Sequence, residues 1–286
     1  MSGVSDSSDR GGFVDLHVHS TASDGTRAPA DVAREARRVG LAAFALTDHD
    51  TVAGVSEARE TAETLGIRLV PGIELSAVED DQETHMLGLH LNDMRAVEGS
   101  LDGLRQMRHD RGEAIVARLN ELGVRITFAA VLEQAGGAAL GRPHVARALV
   151  AEGWATDLRD AFDRYLGAGR PAYVVKEKLS ATEAIAVIHR AGGIAVMAHP
   201  AQSGTRERVE TLVAAGLDGI EVRHPSHSAE DVARLGALVE FFHLVPSGGS
   251  DWHGGADGSR ALGIMHVPYS WLTRQEDRLS GRQAKA

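Results

Sequence analysis

Short apolar runs that read as strands alternate with helical patterns in two separate stretches of the chain, and this alternation limits the fold more than any other feature. The first run is Phe13–His19. A helix follows from about Pro29 to Val39, where Pro at the start loses no hydrogen bond and Gly40 suits the stop. Ala42–Thr47 reads as a second strand, Thr51–Leu65 as a helix closed by Gly66, and Ile67–Leu75 and Thr84–Leu91 as two more strands. After residue 180 the rhythm returns. Ser180 and Glu183 form a capping box for a helix to about Ala191. Strand Ile194–Ala198, helix 205–215, strand Gly219–Arg223, helix 228–241 and strand His243–Pro246 follow, with Gly263–Val267 as a candidate edge strand. About seven strands with intervening helices argue for an α/β fold with a largely parallel sheet. An open doubly wound sheet and a closed barrel both fit that pattern.

The middle of the chain, 93–179, breaks the rhythm. It reads as helices only, at roughly 100–122, 128–135, 143–152 and 156–166. Its charge is near balance, 13 Lys and Arg against 12 Asp and Glu, in a chain with a net charge of −10. The expected organisation is therefore an α/β domain, 13–92 and 180–272, interrupted by a helical insertion, 93–179. Residues 1–12 are Ser-, Asp- and Gly-rich and read as a flexible leader. They lack the basic and apolar regions of a signal peptide. Residues 273–286 read as a frayed polar tail. No run of about 18 apolar residues occurs, so no membrane span is expected and a cytoplasmic location is.

Composition narrows the chemistry. The chain has no Cys, which excludes disulfides, thiolate zinc sites, iron–sulfur clusters and cysteine nucleophiles. The acidic balance argues against a general duplex-binding protein. Histidine, in contrast, is abundant, 14 in 286 residues, and its placement is not random. His17 and His19 are at i and i+2 on a strand, so both face one side; two ordinary polar residues are the competing reading. Asp24 sits in a Ser-Asp-Gly turn. Asp48-His49-Asp50 directly follows the second strand, where clustered carboxylates are costly without a cation, although Asp50 or Thr51 capping a helix is the alternative. Glu74 ends the third strand. The short link to the fourth suits a hairpin, which returns His85 to the vicinity of Glu74. His199 and His224 end later strands, with His227 close by, and Asp251 and His253 repeat the i, i+2 spacing. In parallel α/β folds the C-terminal strand edge carries the active site. Imidazole and carboxylate ligands without thiolates suit Mn, Fe or Zn, and at least seven good candidates imply two or three ions. His90, His109, His189, His243 and His266 fall mid-pattern or on helices and read as structural or surface residues.

These residues resemble the PHP (polymerase and histidinol phosphatase) family. The matching motifs are DLHVHSTASDG at 15–25, TDHDT at 47–51, PGIELSA at 71–77, THMLGL at 84–89, AHP at 198–200 and SDWH at 250–253. GRPH at 141–144 and IEVRHPSH at 220–227 look most like the stand-alone nucleoside 3′,5′-bisphosphate phosphatases and 5′→3′ oligoribonucleases of that family. The resemblance implies a distorted (β/α)7 barrel, a trinuclear metal centre and an insertion that caps it. One ion would take His17, His19, Glu74 and Asp251; a second Asp24, His49 and His199; a third Glu74, His85 and His253. Arg142 and His144 would hold substrate phosphate, with Lys176 a weaker candidate and His224 or His227 assisting. His224 is also a candidate general acid. Pro143 begins a helix whose start favours an anion, and the Arg142 guanidinium fork matches phosphate.

The implied activity is metal-dependent phosphate-ester hydrolysis by a hydroxide held between two ions. The substrate would be a small phosphorylated nucleotide or short single-stranded RNA, with neither duplex nor membrane as partner. Histidinol-phosphate phosphatase, a non-catalytic PHP binding module and a metallo-amidohydrolase are the competing readings.

Overall fold

The computed structural model describes residues 12–79, 82–137, 140–175, 179–255 and 260–283, with the side chains of 104, 105 and 283 set aside. Contacts divide the chain into two units, Met1–Glu98 with Leu179–Ala286, and Gly99–Lys178. The expected leader, 1–12, lies outside the described residues except for Gly12.

The first unit is a nearly closed barrel of strands surrounded by helices. Its strands are β1 (Phe13–Asp15), β2 (Ala43–Leu46), β3 (Arg68–Glu79), β4 (Gln82–Leu89), β5 (Leu179–Ser180), β6 (Ile194–Met197), β7 (Gly219–Arg223), β8 (Val245–Gly248) and β9 (Val267–Pro268). The order is β8-β7-β6-β4-β3-β2-β1-β9, with β5 beside β3. The β3–β4 pair is an antiparallel hairpin, as its short link requires, and β4–β6 and β1–β9 are also antiparallel. The other pairs are parallel. Leu16 N–H donates to the Gly248 carbonyl and Asp251 N–H to the His17 carbonyl, which ties β8 back to the chain after β1. That closure settles the choice between an open sheet and a barrel.

Alternation fills the two faces. Ala43 and Ala45 pack in one cluster with Val14, Leu87, Leu89, Ile194, Val196 and Val245, whereas their neighbours Phe44 and Leu46 pack in another with Val32, Ala36, Ala58 and Ala62. The second cluster is the contact with α1 (Pro29–Arg38) and α2 (Val55–Leu65). The helix expected from Thr51 starts at Val55 because the Asp50 carboxylate accepts hydrogen bonds from Ser76 N–H and Oγ–H and is not available as a cap. The strand expected at His243–Pro246 lies two residues later. His243, at φ 53°, forms the turn that ends α9 (Ala229–Phe241). The capping box at the start of α7 (Ala181–Arg190) is present: Ser180 Oγ accepts the Glu183 N–H, and Glu183 accepts the Ser180 N–H.

The expected polar tail is a correction. Tyr269–Gln283 is a helix, α10. Leu272, Gln275 and Leu279 share one face at i, i+3 and i+7; Leu272 and Gln275 are fully buried, and Leu279 packs on the first cluster. Gln275 donates to the Pro246 carbonyl and pairs with His90 Nε2. A single polar residue on the buried face hid the amphipathic pattern.

The second unit is helical among the described residues. Its elements are most of α3 (Met94–Glu121), α4 (Phe128–Ala135), α5 (Arg142–Ala151) and α6 (Leu158–Ala161), which runs into a π turn at Phe162–Leu166. Ile115, Leu119, Val131, Val145, Leu149 and Leu166 form its own core. No described helix is long and apolar enough to cross a membrane.

Candidate metal centre

The centre is built at strand ends and the loops that leave them. His17 and His19 lie on the extended segment after β1, held by a parallel bridge between Val18 and Trp252. Gly249 passes so close that a Cβ there would lie 2.4 Å from His17 Cβ, which requires glycine. His49 follows β2 and bridges to Glu74 on β3. His85 on β4 pairs in register with Ser76, which places it diagonally across from Glu74 on the same face. His199 leaves β6, and Asp251 and His253 follow β8. Three non-glycine residues here have left-handed backbones, Asp50 (φ 50°), His199 (φ 28°) and Asp251 (φ 52°). Such strain persists only where the surroundings impose it.

Glu74, 1% exposed, is the hub. Its Oε2 lies 3.2 Å from His17 Nε2, 3.2 Å from His19 Nε2 and 3.3 Å from His49 Nδ1. Its Oε1 lies 2.9 Å from His85 Nδ1 and 3.0 Å from His199 Nε2. Asp251 Oδ1 completes the first group, 3.1 Å from His19 Nε2 and 3.5 Å from His17 Nε2. A second zone surrounds Asp24: His253 Nε2 is 3.3 Å away, His19 Nδ1 3.8 Å and His49 Nε2 3.9 Å. His253 stacks on His19 at 4.2 Å, and its Nδ1–H donates to the Asp251 carbonyl, leaving the Nε2 lone pair toward Asp24. In this geometry His253 gathers with His19, Asp24 and His49, and His199 Nε2 lies against Glu74 Oε1.

The donor set fits bound cations. Five imidazole nitrogens cannot all donate protons to one carboxylate, and neutral lone pairs facing it are unfavourable unless a cation lies between them. His19, His49 and His85 each have a buried Nδ1 with no aligned hydrogen-bond partner, although His85 Nδ1 is within 3 Å of Glu74. Three overlapping groups of potential ligand atoms lie here, each group with its atoms within 4.8 Å of one another, and Glu74, His19 and His49 each belong to two of them.

Charge is strongly displaced in the metal-free cluster. Burial opposes charge on His19 and His85, yet hydrogen bonds and field from Asp251 and Glu74, and from Glu74 and Glu83 respectively, push both up to about 9. Burial prevails at His49, pushed down to about 3. Glu74 is held well below the usual carboxylate range, its burial outweighed by His49, His17 and His85.

Sequence reasoning missed the carboxylates that hold the ligands. Glu221, 0% exposed, faces His17 Nδ1 at 3.0 Å and accepts the His199 N–H at 2.7 Å. It thus fixes one imidazole by its ring and another by its backbone, in the manner of an outer carboxylate behind a metal-bound histidine. Asp15 accepts amides from His17, Ser250 and Gly263, joining the two i, i+2 motifs. Asp48 accepts from Ser20 N–H, Ser20 Oγ and Ser23 Oγ. Asp48 and Asp50 are therefore satisfied by amides and hydroxyls, and the only residue of the Asp48-His49-Asp50 triplet that faces the cluster is His49. Glu221 lies three residues before His224, a spacing that on a regular strand points the two to opposite faces, so periodicity gave no signal for it.

The other expected site residues divide. His224 is in the centre: its Nδ1 accepts the Ser226 N–H, which puts the proton on Nε2, 3.4 Å from Asp251 Oδ2. His227 is a correction, because its Nδ1–H donates to the Val222 carbonyl and its Nε2 accepts the Ala201 N–H. Both nitrogens are committed to backbone, so it is a strut. His144 is buried, with Nδ1 accepting the Gly141 N–H at the start of α5. Arg142 lies over the Phe162 and Tyr173 rings and donates to the Leu166 carbonyl in the π turn. Both belong to the insertion. Lys176 lies outside the described residues.

Imidazole and carboxylate ligands gathered at one end of an α/β barrel, with orphaned nitrogens aimed at shared points, define a metal-dependent hydrolase. A PHP domain matches residues 15–169. The 3′,5′-nucleoside bisphosphate phosphatase of Chromobacterium violaceum is 35% identical over 257 residues, 87% of this chain and 90% of that protein. The 5′-3′ exoribonuclease Rnm of Salmonella typhimurium is 35% identical over 249 residues, 84% of this chain and 85% of the relative. A crystal structure from Bifidobacterium adolescentis, assigned as a metal-dependent phosphoesterase, superposes with a TM-score of 0.81 at 34% identity, covering 93% of this chain and 96% of that one. The chain belongs to the PHP family and is a phosphoric ester hydrolase.

Proposed function

We propose that the protein hydrolyses the 3′-phosphate of nucleoside 3′,5′-bisphosphates, trims short RNA from the 5′ end, or does both, with three divalent ions of Mn, Fe or Zn. The observation that carries the reading is the crowding of five imidazole nitrogens around the two oxygens of Glu74. Its substrate class comes from the phosphatase and exoribonuclease relatives. His17, His19, Glu74 and Asp251 would hold one ion. Glu74, His85 and His199 would hold another, and Asp24, His49 and His253 the third.

Bound divalent ions supply neutralisation of the ester's charge, a lowered pKa for water and stabilisation of the leaving oxygen. The chain supplies the rest. Glu221 holds His17 in one tautomer, with its proton on Nδ1 and its Nε2 lone pair toward the cluster. His224 presents its Nε2–H at the edge of the centre, and the reading assigns it a hydrogen bond to the leaving oxygen. Arg142 is assigned to substrate phosphate on the motif resemblance.

The reading is tested by metal analysis and a phosphate-release screen with added Mn. The substrates are a nucleoside 3′,5′-bisphosphate, short 5′-phosphorylated RNA and histidinol phosphate. Two to three ions per chain and turnover of the first or second substrate are expected. Fewer than one tightly held ion after reconstitution overturns the trinuclear centre, and clear preference for histidinol phosphate overturns the substrate class.

A further inference from the structure

Asp251 is shared between two neighbourhoods. Its Oδ1 faces His17 and His19, and its Oδ2 faces His224 Nε2 at 3.4 Å. The same Oδ2 accepts a hydrogen bond from Arg260 Nη1. A guanidinium and the proton-bearing nitrogen of His224 therefore flank one oxygen at the rim of the cluster. Arg260 is 44% exposed, against 12% for the Asp251 side chain, so the cation is open to solvent and its partner is not.

Other arginines of the same unit show what a structural guanidinium looks like. Arg282 binds the buried Asp218 and the Gly193 carbonyl, and Arg234 binds two backbone carbonyls and Asp231. Arg260, in contrast, has one donor engaged among the described residues and no backbone carbonyl holding it. A guanidinium presents five donors in a planar fork, so most of this one remains available. Asp251 is held on its other oxygen, Oδ1, against His17 and His19, and the bond to Arg260 is one that an incoming anion can exchange.

We propose that Arg260 is a phosphate-binding residue of the catalytic unit, taking a non-bridging oxygen of the ester beside Asp251 and His224. This inference rests on the phosphoester reading above. A phosphate dianion suits the planar fork better than a lone carboxylate oxygen does, because two N–H donors engage two of its oxygens. The alternative is that Arg260 serves only as a counter-ion that tunes Asp251 as a metal ligand.

The test uses Arg260→Ala and Arg260→Lys in the metal-loaded protein. Metal content and chelator competition are measured alongside the affinity for inorganic phosphate by calorimetry, and then kcat and KM. Arg260→Ala should weaken phosphate binding by about 10–100-fold, the range for hydrogen bonds to charged groups, with metal retention unchanged. Arg260→Lys should recover only part, because it lacks the fork. A phosphate affinity within about twofold of the parent overturns the inference, as does a loss of metal that parallels the loss of phosphate. Inorganic phosphate is read without turnover, so failure of the parent to hydrolyse any ester rejects the proposed function separately.

Discussion

The catalytic unit buries two clusters that pair a carboxylate with histidine, and they are built on opposite principles. Asp218, just before β7 and 1% exposed, receives protons from every side. The Ala195 amide donates to it at 2.9 Å, His189 Nε2 lies at 2.8 Å, and the Arg282 guanidinium completes the set. Glu74, equally buried, is met by five imidazole nitrogens, of which His49 Nδ1 and His85 Nδ1 make no aligned hydrogen bond. The first cluster is complete as protein and ties α10 to the barrel. The second is complete only with cations. A buried carboxylate near histidine is thus not in itself a metal site; the supply of protons around it distinguishes the two.

Substitutions should separate the clusters. The largest effect is expected from Glu74→Gln, which removes the shared charge. Metal content and phosphate release should fall together, by more than the roughly 10–100-fold typical of an outer partner, and retention of full metal by this variant would break the comparison. Asp218→Ala should leave metal content unchanged and lower stability by about 1–3 kcal/mol, the cost of an orphaned buried amide, read by denaturant unfolding of the metal-loaded protein. Glu221→Ala lies between the two: it should weaken metal retention about 10–100-fold while the fold survives, seen in chelator competition and circular dichroism.

A smaller, graded effect comes from pH. In the metal-free protein His19 and His85 have pKa values raised to about 9, above the ordinary value of about 6.5. Their charged forms stabilise that state fully below about pH 6.5, and the contribution disappears as pH rises through about 9. Metal binding requires neutral imidazole and releases those protons. The melting temperature of chelator-treated protein should therefore fall between about pH 7 and 9 while metal affinity rises. Parallel rise of both would contradict this assignment of charge.

Much of the site was legible because a strand's twofold period puts i and i+2 on one face. His17 with His19 needed nothing more, whereas Asp251, with its left-handed backbone, and His253 enter different zones of the cluster. Glu74 and His85 followed from a link too short for a crossover. Which of these side chains stand side by side was not legible, because His199 and His253 reach the cluster from different strands, and only the closure of β8 onto the segment after β1 brings each to its neighbours. His227 shares a motif with His224, yet a turn spends both its nitrogens on backbone.

The amino-acid order alone determined the α/β rhythm, the helical interruption and the choice of imidazole and carboxylate over thiolate, since these are properties of local period and composition. Tertiary structure decided three other matters. It closed the sheet into a barrel. It turned a polar C-terminal segment into a packed helix around Gln275. It also divided the acidic residues into those satisfied by amides, hydroxyls or a guanidinium, such as Asp48, Asp50 and Asp218, and Glu74, which is ringed by imidazole nitrogens. The reason is that hydrogen-bond satisfaction depends on which donors reach a carboxylate across the fold, and no neighbour in sequence specifies that.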